Sequence, residues 1–275
     1  MTTALKALQL KARHQVYTLL SGYNLSKLHG EGYDFSELRE YQMGDDIRKI
    51  NWTITAKLGK PYIKELHANR ELSVVICALM DGSLYFGSGN TKQEKLTEVA
   101  TVLGYAAHQN TDLFTGIAYT HTKTFNTPPT KQLYHIEQFS KVLFETNLLE
   151  SRLDKQNAIE NLFKQLHKPS LVFILGDFLE ELDLSLLAQK HEVIAIVIRD
   201  KTEESHNVLG EVTLISPQDN TTIETYFGKK SVEKYMGKLK ENEEKRLEHF
   251  SRYDIRSVKI FTNEDVISKL MTLFI

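Results

Sequence analysis

The chain has 275 residues, and its 34 Lys and Arg against 36 Asp and Glu leave a net charge of −2, which excludes the strongly basic balance of a nucleic-acid or anionic-membrane binder. Hydrophobic residues at 41% and charged residues at 25% match a soluble globular protein with a sizeable core and exclude a disordered chain. The lone cysteine, Cys77, excludes an internal disulfide framework, and its place in the apolar run "LSVVICALM" predicts a buried structural thiol.

In chain order, residues 4–21, "ALKALQLKARHQVYTLLS", set Leu5, Leu8, Leu10, Val16, Leu19 and Leu20 near helical spacing between basic residues. This predicts an amphipathic helix packed on the chain's own body, with a membrane-surface helix as the alternative. Residues 30–68 mix Gly, charges and turn signals around a strand at "KPYIKEL". From Leu72 onward the texture changes. A strand "LSVVICALMD" precedes a helix "TKQEKLTEVATVLGYAAHQ", a strand "LFTGIAYT" and the helices "LYHIEQFSKVLFET" and "DKQNAIENLFKQL". Next come "SLVFILGDF", a short helix near "LDLSLLAQK", "EVIAIVIRD", "GEVTLISP", the helix "SVEKYMGKLKENEEKRLEHFSRY", "RSVKIFT" and a final helix.

Near-continuous apolar strands alternating with amphipathic helices predict an α/β fold: a doubly wound, mainly parallel sheet covered on both faces. "TKTFNTPPT" fits an antiparallel edge strand, where Pro is tolerated. The longest apolar runs, "VVICALM" and "VIAIVI", are strand-sized and too short for a membrane span or signal peptide, which predicts a cytoplasmic protein.

Open α/β sheets bind ligands at the carboxyl ends of their strands. Here Asp81, with Ser83 and Ser88 in its loop, and Asp177 in "LGDF" end two strands. Such an oxygen cluster suits a hard cation such as Mg2+; helix capping by the same carboxylates is the alternative. Asp81 as a phosphoryl-accepting nucleophile lacks the second Asp two positions on, where Ser83 stands. Nucleophile-elbow, Walker-type and dinucleotide loops are absent from the sequence, and the His residues show no zinc-ligand spacing.

Residues 30–66, "GEGYDFSELREYQMGDDIRKINWTITAKLGKPYIKEL", resemble the signature of the bacterial domain-of-unknown-function family 58, roughly G-x-G-x-E-F-x-x-L-R-x-Y-x-x-G-D-D-x-R-x-I-D-W-x-x-x-A-R. The matches are Gly30, Gly32, Phe35, Leu38, Arg39, Tyr41, Gly44, Asp45, Asp46, Arg48, Ile50, Trp52 and Ala56, while Asp34, Asn51 and Lys57 depart conservatively. The resemblance extends from about Gly22 to the C-terminus and implies two parts: an N-terminal helix with the signature segment over residues 1–70, and a von Willebrand factor A-like domain over 71–275.

It also implies an Asp-x-Ser-x-Ser metal site for Mg2+, with Asp81 and Ser83 in the first two positions, Tyr85 in place of the third Ser, and Asp177 from the second strand. Ser151 and Thr146 are the available stand-ins for the site's Thr. By function, the resemblance implies a non-enzymatic adaptor acting with a MoxR-type AAA+ ATPase in maturation or assembly of a client protein. A metal-dependent hydrolase or phosphatase using Asp81 and Asp177 is the alternative. Within the signature, Arg39 and Arg48 are spaced to meet Asp45 and Asp46 across the "MGDD" turn, beside the rings of Tyr41 and Trp52; this predicts either an internal charge network or a surface for a partner.

Overall fold

The computed structural model describes residues 3–24, 34–43, 45–67, 72–205 and 207–273 and divides the chain into two units, residues 19–71 and residues 1–18 with 72–275. The sequence places one boundary after residue 70. The structure differs in assigning the first eighteen residues to the same unit as the sheet.

Helix α1 (Thr3–Asn24) shows the reason: Leu5 and Ala12 are fully buried, Gln9 donates to the Glu137 carbonyl at 3.2 Å, and Lys11 meets Glu98 at 2.6 Å. Leu5, Gln9 and Ala12 share one helix face by 3.6-residue spacing, while Leu10 stays 66% exposed.

The signature unit is built on an antiparallel pair, β1 (Asp34–Glu40) with β2 (Tyr62–His67), in a register that sets Arg39 opposite Ile63. Strand β2 is the one legible in "KPYIKEL". Between the strands, α2 (Trp52–Leu58) begins where the Asn51 side chain accepts from the Ile54 N–H and ends at Gly59, whose φ of 73° favours a residue without Cβ. Gly30, Gly32 and Gly44 of the signature lie outside the described residues, as do the side chains of Phe35 and Leu38.

The larger unit contains β3 (Ser73–Leu79), α3 (Lys92–Gln109), β4 (Leu113–Tyr119), β5 (Thr124–Asn126), α4 (Leu133–Glu145), α5 (Lys155–Gln165), β6 (Leu171–Gly176), α6 (Ser185–Lys190) and β7 (Glu192–Arg199). It continues through β8 (Gly210–Ile215), β9 (Thr222–Phe227), α7 (Lys229–Arg252), β10 (Arg256–Phe261) and α8 (Val266–Met271). Its six-stranded sheet runs β10-β7-β6-β3-β4-β5, parallel except for the edge strand β5, which pairs antiparallel with β4 as the Pro-containing segment predicts.

Strand β3 carries apolar side chains to both faces, which is why its sequence is continuously apolar rather than alternating. Val75, Cys77 and Leu79 pack in one cluster with Ile159 and Leu162 of α5, Leu187 of α6 and Phe250 of α7, and α3 covers the opposite side. Full burial of each such aliphatic contributes about 2 kcal/mol. Cys77 is fully buried, and burial pushes its thiol pKa up, as its sequence context predicts.

One strand-like run does not join the sheet. "GEVTLISP" forms β8 and pairs antiparallel with β9 as a separate hairpin, because its apolar residues alternate with polar ones and lack the continuous pattern of a doubly covered strand. Leu214 and Ile223 face each other across this hairpin and remain 43% and 60% exposed. Among the described residues, no helix is long and apolar enough to cross a membrane.

Candidate functional site

At the carboxyl edge of the sheet, β3 leads through Met80 into Asp81, and β6 leads directly into Asp177. Both carboxylates are only 1% exposed. The Asp81 side chain accepts from the Ser83 N–H at 3.1 Å and so starts the single helical turn Gly82–Tyr85. That turn places the Ser83 hydroxyl against both Asp81 and Asp177. The three residues expected at the site are therefore brought together.

Two lysines complete the cluster, and neither is anticipated by the sequence reading. Lys155, the first residue of α5, sets Nζ 3.0 Å from Asp81 Oδ2 and 3.1 Å from Asp177 Oδ1. Lys92, the first residue of α3, sets Nζ 3.4 Å from Asp177 Oδ2 and 2.6 Å from Glu203 Oε1, with no exposure of its side chain. Arg199 lies beside the cluster, 3.7 Å from Glu204 and 4.0 Å from Glu203. The positive end of a helix dipole disfavours a cation in the first turn. Two lysines placed there in α3 and α5 are thus held by the strand-end carboxylates, and this is the sequence signal that would have found them.

The electrostatics follow from the distances. Burial by itself would raise the pKa of Asp177, but Lys155 and Lys92, with the Ser83 hydroxyl, hold its carboxyl well below the usual range. Burial likewise acts to lower the pKa of Lys155, and Asp177 and Asp81 together drive it above the ordinary lysine range.

The turn between β8 and β9 closes over the cluster. Gln218 Nε2 donates to Asp81 Oδ2 at 3.2 Å, and the Pro217 carbonyl accepts from the Glu150 N–H at 2.8 Å. The Gly82 N–H donates to the Ser151 carbonyl at 2.7 Å, and a Cβ on Gly82 would stand 2.3 Å from the Pro217 carbonyl oxygen. Only glycine permits that approach.

Tyr85, Ser88 and Thr146 do not join the carboxylate pair. Tyr85 has no short hydroxyl to offer and is half exposed. Ser88 donates through N–H and Oγ, each at 3.1 Å, to Asp200, a buried carboxylate at the end of β7 that also accepts from Thr202 and Thr262. The hydroxyl of Thr146 donates to the Val142 carbonyl at 2.5 Å.

Mg2+ requires oxygen donors at about 2.0–2.1 Å in near-octahedral array. The facing oxygens of Asp81 and Asp177 instead share the Lys155 ammonium, so the donor set as folded does not suit that ion. Among the described residues, no group of three or more His, Cys, Asp or Glu side chains is arranged to hold a metal ion.

In the signature unit, Arg39 forms the predicted pair: Nη1 and Nη2 reach Asp45 Oδ2 and Oδ1 at 2.7 and 2.8 Å. Asp45 also accepts from the Gln42 N–H at 2.8 Å. The pair is partly solvated, with side-chain exposures of 32% and 21%, so it is not the fully buried network whose loss costs most. Asp46 accepts from Arg48 Nε and Nη2 at 3.1 Å, with the Arg48 side chain 90% exposed. Tyr41 is half-buried and Trp52 is 65% exposed.

Uncharacterized protein Rv1480 of Mycobacterium tuberculosis (strain ATCC 25618 / H37Rv) and uncharacterized protein Mb1516 of Mycobacterium bovis are each 25% identical over 221 residues, covering 78% of this chain and 70% of theirs. Among solved structures, conserved hypothetical protein BatB from Bacteroides thetaiotaomicron aligns with a TM-score of 0.44 and 9% identity, covering 74% of this chain and 96% of that one. An aerotolerance-related membrane protein from Bacteroides fragilis NCTC 9343 aligns at 0.37 and 11%, covering 66% and 98%. Residues 37–245 match the family described as Protein of unknown function DUF58, and the chain belongs to that family.

Proposed function

We propose that the protein is a non-enzymatic interaction module that acts with a MoxR-type AAA+ ATPase in maturation or assembly of a client protein, through a von Willebrand factor A-like sheet domain. The observation that carries this reading is the state of the strand-end carboxylates. A nucleophile or general base must reach its substrate, whereas Asp81 and Asp177 are buried and engaged by Lys155, Lys92, Ser83 and Gln218. Their chemistry is that of a brace joining β3, β6, α3 and α5. Exposed apolar side chains on β8 and β9, including Ile215 and Tyr226, and the exposed Trp52 suit a protein that meets other proteins.

The test is direct binding of the purified full chain to a MoxR-type ATPase from the same organism, by calorimetry and by change in ATP turnover. Saturable binding supports the reading; no binding with or without nucleotide defeats it. Turnover of p-nitrophenyl phosphate with Mg2+ or Mn2+, abolished in Asp81→Ala, would replace it with the hydrolase reading.

A further inference from the structure

We infer that Lys155 is the resident cation of the strand-end site, a covalently attached ammonium standing between the carboxylates for which the sequence resemblance implies Mg2+. This does not depend on the identity of any partner. Three observations carry it. First, Nζ is almost equidistant, at 3.0 and 3.1 Å, from carboxylate oxygens on two different strand ends, the bridging position between them. Second, the residue opens α5 directly after Asp154, whose side chain caps the helix by accepting from the Asn157 N–H at 3.0 Å. The helix start is thus fixed independently of the lysine, and its side chain is directed inward against the dipole preference. Third, each oxygen of Asp177 already faces an ammonium, Lys155 at Oδ1 and Lys92 at Oδ2, before any ion is added.

The hairpin turn adds a second donor. Gln218 Nε2 donates to Asp81 Oδ2, which Lys155 also meets, beside the close approach that Gly82 permits. A metal in such a site can accept a partner's carboxylate at an open coordination position. Lys155, 8% exposed and already shared by two carboxylates, offers no such position. Recognition by this protein is therefore independent of divalent cations.

The experiment titrates MnCl2 into the EDTA-treated full chain, read by calorimetry and by electron paramagnetic resonance, for wild type, Asp177→Asn, Lys155→Ala and the Lys155→Ala/Asp177→Asn double variant. The wild type is expected to show no Mn2+ binding that Asp177→Asn removes. Lys155→Ala is expected to gain one saturable site, at least about tenfold tighter than any wild-type binding, because vacating the ammonium frees a carboxylate pair for a hard cation. The double variant is expected to lose it. Stoichiometric wild-type binding abolished by Asp177→Asn would overturn the inference, as would the absence of any gain in folded Lys155→Ala. If Lys155→Ala does not fold in EDTA, thermal unfolding with added Mn2+ decides: recovery of a cooperative transition supports the inference, and none overturns it.

Discussion

Lys155 Nζ lies 3.1 Å from Asp177 Oδ1, so the first residue of α5 is tied to the end of β6 by a buried ion pair. Removing one partner strands the other charge in the core, which costs about 3–5 kcal/mol. Lys155→Met, which keeps much of the side-chain volume, should therefore lower Tm by about 10 °C in a unit of this size, where each kcal/mol shifts Tm by about 2–4 °C. Differential scanning calorimetry checks this. A shift below about 2 °C would mean that the pair contributes no more than an exposed one.

The same pair sets a pH window. The folded pKa of Asp177 is depressed, so its contribution is present above the unfolded value near 3.9 and is lost as pH falls toward the folded value. The folded pKa of Lys155 is raised, so its contribution is present below the unfolded value near 10.4 and is lost as pH rises through the folded value. The stability gap between wild type and Lys155→Met, measured by urea unfolding, should be flat from about pH 5 to 9 and should narrow below about pH 4. A gap that grows on acidification contradicts the ionised assignment.

The sheet was legible because strands covered on both faces must be apolar at every position, as in "VVICALM" and "VIAIVI". Strand β1 and the β8–β9 hairpin were harder to read, since charges alternate along "DFSELRE" and the hairpin leaves both Leu214 and Ile223 exposed. Asp81, Ser83 and Asp177 were readable from strand ends. Lys92 and Lys155 stand at helix starts, and their partners are distant in sequence: Glu203 is 111 residues and Asp177 is 85 residues from Lys92, and Asp177 is 22 residues from Lys155. The Arg39–Asp45 pair was readable because only six residues separate its members.

Close approach at Gly82 gives a prediction with its own control. Adding a methyl group at Gly82 places Cβ 2.3 Å from the Pro217 carbonyl oxygen, and backbone must move. Gly82→Ala should cost about 1–3 kcal/mol by overpacking and should raise hydrogen exchange across residues 210–227 as the hairpin turn lifts from Asp81. At Gly89 a Cβ meets nothing within 4 Å, so Gly89→Ala should stay within about 0.5 kcal/mol of wild type. Equal effects at both positions would show that the turn does not rest on Gly82.

The signature unit separates structural from recognition roles by exposure. Arg39 holds Asp45 through two parallel hydrogen bonds, a geometry that lysine cannot reproduce. Arg39→Lys should therefore destabilise the unit by about 1–2 kcal/mol, the range for a charged hydrogen bond, seen as faster exchange of β1 and β2 amides. Trp52 is 65% exposed and starts a helix none of whose residues is buried, so Trp52→Ser should leave unfolding within about 0.5 kcal/mol of wild type. If the unit meets the ATPase, the same substitution should weaken that binding by about tenfold or more, since exposed Trp side chains dominate interface energetics. A large fall in Tm with unchanged binding would assign Trp52 to the fold and move the search for the docking surface to the β8–β9 hairpin.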